Sequence, residues 1–173
     1  MPERGELATV SEQALTILKI GLGDHLRCAI AHRFSEQNLK DEQMSELLGE
    51  GYSGMTSIVQ TSIPVGYQLT AGHRCQVDGR SFAHLILKKP EGFVSLIVTR
   101  KQGESYAVGS SEKTFSSFGA NLHEAQLEGF EVAGFETKEH LGFFVSGLGR
   151  QENFTVASRM APALQEYLLK LEI

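Results

Sequence analysis

His73, Cys75, Phe82 and His84 stand out in this sequence because their types and spacing bring reactive groups together. They flank Asp78-Gly79, a dipeptide that supplies the two positive-φ positions of a tight type I′ turn. With those two residues as the whole loop, Val77 pairs with Arg80, Cys75 with Phe82, and His73 with His84. Side chains alternate faces along a strand, so His73, Cys75, Phe82 and His84 share one face of a hairpin. Two imidazoles and a thiol are donors that zinc takes and copper also accepts.

A second group lies upstream. Asp24 is placed to cap a helix, HLRCAIAHRF, on which His25, Cys28 and His32 fall at i, i+3 and i+7 and line one stripe. His25 and Cys28 from this helix, with His73, Cys75 and His84 from the hairpin, form a candidate site for a tetrahedral zinc-like ion. The same atoms admit other readings. A Cys28–Cys75 disulfide would close about 46 intervening residues and stabilise the fold by about 3–4 kcal/mol, given Cα atoms within about 7 Å. Cys28, one turn into a helix and near His25, is also a candidate nucleophile. No nucleophile elbow, phosphate loop or paired carboxylates accompany it. The plainest reading is a half-buried helix stripe with hydrogen-bonded histidines and two core cysteines.

Arg74, Arg80, Lys88, Lys89, Arg100 and Lys101 concentrate positive charge on and around the hairpin. They suit either an anion or a solvated sheet face. His123 and His140 have no partner visible along the sequence, and Phe143, Phe144 and Phe154 read as core.

The elements that must position these residues follow from periodicity. Ser11 caps a helix over 12–20 that Gly21 and Gly23 break, and Asp41 caps a third helix over 42–48, stopped by Gly49. Residues 52–63 carry helical spacing up to Pro64. The period then changes to two. Strands are predicted over 67–77, 80–88 and 93–100, and a second hairpin over 130–137 and 140–146 around Lys138-Glu139. The stretch 101–127 reads as a long loop with one irregular strand. A last helix over 152–171 has Phe154, Ala157, Met160, Ala161, Leu164, Leu168 and Leu171 on its core-facing stripe and Pro162 inside it. The predicted class is α+β in a single domain over 1–173: helices over 1–63, then an antiparallel sheet of about five strands and a C-terminal helix packed on it.

The chain's 173 residues suffice for one core, and 41% apolar with 21% charged residues is ordinary for a folded domain. A net charge of −5 disfavours a general nucleic-acid binder. No run reaches the roughly 18–20 apolar residues of a membrane span. MPERGELATVSEQ is too acidic and polar for a signal peptide.

Gly66-Tyr67-Gln68-Leu69, Ser95-Leu96-Ile97-Val98 and Val145-Ser146-Gly147-Leu148, in that order before a final helix, resemble the extracytoplasmic C-terminal domain of membrane-anchored, zinc-finger-type anti-sigma factors. The last of these lacks the family's spacer residue. Asp24-His25-Leu26-Arg27-Cys28 resembles a segment that some members carry just after their membrane helix. The family's cytoplasmic His-x3-Cys-x2-Cys part and its membrane helix have no counterpart here. The resemblance implies either the sensor half of a longer protein, attached to a membrane only through a segment absent from this chain, or a relative working without those parts. It implies a non-enzymatic regulatory domain with a protein partner and an extracytoplasmic location, sensing metal or redox state. A stand-alone zinc- or copper-binding protein is the alternative, and a thiol- or metal-dependent enzyme follows it.

Overall fold

In a computed structural model describing residues 12–24, 39–106 and 122–172, Asp78 and Gly79 take φ of 52° and 78°. The type I′ turn therefore forms, and the strands it joins, β1 (Gln68–Val77) and β2 (Arg80–Lys89), pair in the predicted register. The Gly92 turn leads into β3 (Gly92–Arg100). β4 (His123–Leu127) and β5 (Phe130–Glu136) close around Glu128-Gly129, with φ of 51° and 84°, and β6 (His140–Ser146) follows. One antiparallel sheet results, in the order β1-β2-β3-β6-β5-β4. The class is α+β as expected, with six strands. β4 is the regular strand that the glycine- and serine-rich stretch conceals.

Four helices are present among the described residues: α1 (Glu12–Asp24), α2 (Asp41–Leu48), α3 (Met55–Ser62) and α4 (Arg150–Leu171). On one face, here the helical face, α2, α3 and α4 bury Leu85, Leu87, Leu96, Phe135 and Phe144. On the opposite face α1 covers Phe82, Ile97, Leu141 and Phe143. Central strands covered on both faces lose the alternation of a half-exposed sheet. β6 is accordingly buried at all seven positions.

Three local expectations are corrected. Gly21 and Gly23 do not end α1, which includes Asp24 as a helical residue, and the helix expected after it lies outside the described residues. α2 begins at Asp41, with Lys40 at the capping position and its N–H donating to Gln43 Oε1 at 2.9 Å. Phe154 and Leu171, both placed on the core-facing stripe, are 40% and 36% exposed, because the face of α4 that meets the sheet is centred on Val156, Met160 and Leu164.

Gly21 shows why a helix-breaking residue can sit inside a helix. A Cβ there would lie 2.0 Å from the Phe143 ring, whereas one at Gly23 would meet nothing within 4 Å. Glycine at 21 lets α1 approach the sheet. Gly21→Ala is therefore expected to destabilise by about 1–3 kcal/mol through overpacking. Gly23→Ala should stabilise by up to roughly 1 kcal/mol through helix propensity. Urea midpoints moving in the same direction for both variants would contradict the close approach.

Candidate functional site

Among the described residues, the helices do not cover the helical face of the sheet along its whole length. α2 reaches as far as Gly72, where an added Cβ would touch Met44 and Leu48. Beyond it, on the same face, Arg74 and Gln76 are exposed. In the rungs there, Gln76 pairs with Ser81, and Arg100 with His140 across the β3–β6 junction. The α2–α3 connection brings Tyr52 over this end, and Leu171 of α4 approaches from the other side. The result is a cleft of about 410 Å³, walled by Tyr52, Arg74, Arg80, Arg100, Lys101 and His140.

A hydrogen-bonded chain leaves the cleft and enters the core. Tyr52 Oη lies 3.0 Å from His140 Nε2, and His140 Nδ1 lies 2.6 Å from Glu172 Oε2. A carboxylate oxygen only accepts, so His140 Nδ1–H donates to Glu172, and the phenol and Nε2 share the other hydrogen bond. Thr137 Oγ1 also donates to Glu172 and accepts the His140 backbone N–H at 3.0 Å. His140 and Glu172 have side chains only 2% and 3% exposed. Burial pushes the Tyr52 phenol above its ordinary range, against the pull of the Arg100 and Arg74 charges.

The cations on the cleft differ in commitment. Arg80 is buried and donates to Thr99 Oγ1 at 3.1 Å, to both Glu104 oxygens at 2.8 and 3.0 Å, and to the Arg100 carbonyl at 2.7 Å. Its hydrogen bonds hold the Glu104 carboxyl below the usual range. Lys101 lies 2.6 Å from the buried Glu136. Arg100 meets Glu139 at 2.8 Å and holds that carboxyl low. The Arg74 guanidinium sits 5.3 Å from the centre of the Tyr52 ring, a cation–π contact, and has no ion pair among the described residues. Lys88 is exposed at the far end of β2, and Lys89 there bonds Glu152 at 2.5 Å.

The hairpin residues share the opposite face, as predicted. His73 faces His84 with ring centroids 5.1 Å apart, and Cys75 faces Phe82. His84 is fully buried, with Nε2 2.7 Å from Ser95 Oγ. Cys75 packs with the apolar group around Phe82 and Ile97. No three metal-donor side chains converge among the described residues. His25, Cys28 and His32 lie outside those residues, and so do the helix–hairpin metal set and the Cys28–Cys75 disulfide. His123 stacks on Tyr106 with centroids 5.4 Å apart, while Phe143 and Phe144 are core.

Sequence reasoning grouped Arg74, Arg80, Arg100 and Lys101 but missed the set Tyr52, His140 and Glu172. Those three residues come from a helix connection, a strand start and a helix end, so no local spacing joins them. The Gly-Tyr-Ser-Gly run at 51–54 was the available signal, an aromatic set in a turn rather than in a helix.

Burial also raises the phenol pKa of Tyr67, Tyr106 and Tyr167, with the Glu152 hydrogen bond adding to it at Tyr67. These and Tyr52 are all four tyrosines of the chain. A folded-state pKa above the unfolded value gives stability that is present at lower pH and lost as pH rises past about 10. Native protein at about pH 10 should therefore show much less phenolate absorbance than urea-unfolded protein, in which tyrosine is about half ionised. Its unfolding midpoint should fall on going higher. Equal absorbance in the two states would contradict this burial.

No family model, curated protein or solved structure matches the chain well enough to place it among known proteins.

Proposed function

We propose that this chain is a non-enzymatic sensor or regulatory domain, similar to the extracytoplasmic part of a zinc-finger-type anti-sigma factor. In this reading, occupancy of the Tyr52 cleft changes how the end of α4 docks on the sheet. The observation that carries it is the chain Tyr52–His140–Glu172, with spacings of 3.0 and 2.6 Å, running from an open cleft to the end of the last helix. A contact on the phenol alters the hydrogen bond to His140, and His140 is the donor that lets the Glu172 carboxylate remain buried.

Native-state hydrogen exchange tests the link. Tyr52→Phe keeps the ring and removes the hydroxyl. Losing one partner of a buried polar chain costs about 1–3 kcal/mol. Amide protection in the last turns of α4 should fall roughly tenfold or more, with β3 and β6 unchanged. Glu172→Gln should produce the same local loosening. Protection unchanged in Tyr52→Phe would disconnect cleft from helix and sink this reading.

A second reading is favoured by the cross-strand pair His73–His84 beside Cys75: metal or redox sensing, with His25 and Cys28 as the remaining donors and zinc or copper as the ion. Elemental analysis with a free-thiol count tests it. Stoichiometric metal that is lost in Cys75→Ala, or a disulfide that forms reversibly, is the expected result. Metal-free protein with two unreactive thiols would remove it.

A further inference from the structure

We infer that the cleft binds a small molecule through an oxyanion, a carboxylate or a phosphate group, held between the guanidinium groups of Arg74 and Arg100. The inference deepens the sensor reading and rests on it for the ligand's role, while its geometry stands separately. Arg80 and Lys101 are committed to Glu104 and Glu136 and serve as framework. The other two are not. Arg100 makes one hydrogen bond to Glu139, and its side chain is 63% exposed. Arg74 makes none among the described residues and is steadied by the Tyr52 ring beneath it.

A guanidinium has five N–H donors in a planar fork that matches two oxygens of an oxyanion. Stacking on an aromatic ring fixes the plane of that fork and leaves its edges open. Arg74, on the Tyr52 ring, and Arg100, with one hydrogen bond to Glu139, therefore border one cleft with most of their donors uncommitted. The volume of about 410 Å³ exceeds a bare acidic group and leaves room for a body attached to it. Ser81, Thr99 and Gln102 on the wall suit a hydroxylated body better than an apolar one, and Glu50 at the rim disfavours a second acidic group there.

The test is calorimetric titration of the full chain at low ionic strength with inorganic phosphate and, separately, with gluconate, a hydroxylated monocarboxylate. Sodium chloride at matched ionic strength is the control for screening. Saturable binding of at least one oxyanion is expected, with none for chloride, and the preferred probe sorts phosphate from carboxylate ligands. Arg74→Gln and Arg100→Gln should each weaken binding tenfold or more. Lys88→Gln, at the far end of β2, should leave it unchanged. No binding of either probe overturns the inference, and so does a chloride signal of equal size or an equal loss in Lys88→Gln. A conservative Arg74→Lys variant that binds as well as the parent would also overturn the two-fork geometry. Because the readout is binding and not helix protection, failure here leaves the cleft-to-helix link standing, and failure of that link leaves the oxyanion site standing.

Discussion

Much of this structure depends on one constraint: a carboxylate at the end of α4 is buried and must be given donors. Glu172 is 3% exposed, and His140 and Thr137 both donate to its Oε2, whereas its Oε1 has no hydrogen-bond partner among the described residues. An ionised carboxylate in such a place is tolerable only while its partners stay put, since removing one leaves a desolvated charge. The requirement fixes where α4 ends on the sheet. Asn153 meets the other end of the helix's footprint, donating to the Phe144 carbonyl and accepting from Ser146, and Gln165 donates to the Glu136 carbonyl between them. Apolar burial of Met160, Leu164 and Leu168 holds the helix down without choosing its register. The polar contacts choose it, because each buried polar group has few positions at which it is satisfied.

β1 sets two chemistries back to back. His73 and Cys75 belong to one face, and Arg74 between them belongs to the other. The sheet thus separates the imidazole–thiol group from the cationic cleft by the thickness of a single strand. A register slip of one residue would exchange the two sets. The bulge between Leu69 and Ala71 lies upstream of both, and the Asp78-Gly79 turn pins the strand downstream.

The hairpins were legible because their information is local: Asp78-Gly79 dictates a turn, and the turn dictates which residues face one another. The last helix was legible for the same reason, with its stripe misjudged at its two ends, Phe154 and Leu171, where a three-four spacing admits two neighbouring faces. Gly21 was misread because its reason lies across the molecule, in the Phe143 ring. The cleft was half legible. Four basic residues near one hairpin can be counted in a sequence, but which of them are neutralised depends on Glu104, Glu136 and Glu139. His140 looked solitary because Tyr52 and Glu172 lie 88 and 32 residues away along the chain. The pairing of β3 with β6 and the path of α4 are what bring them together.

That pairing has a consequence for assembly. β1-β2-β3 and β4-β5-β6 are each a meander whose strands join neighbours in sequence, two of the turns being left-handed pairs that close quickly. The β3–β6 seam joins segments about forty residues apart, so its loop-closure entropy must be met before its contacts contribute. Arg100 and His140 lie opposite each other across that seam. Neither meander alone contains the cleft. It is complete only when the two meanders have joined, so its appearance reports that the two halves of the sheet have found each other.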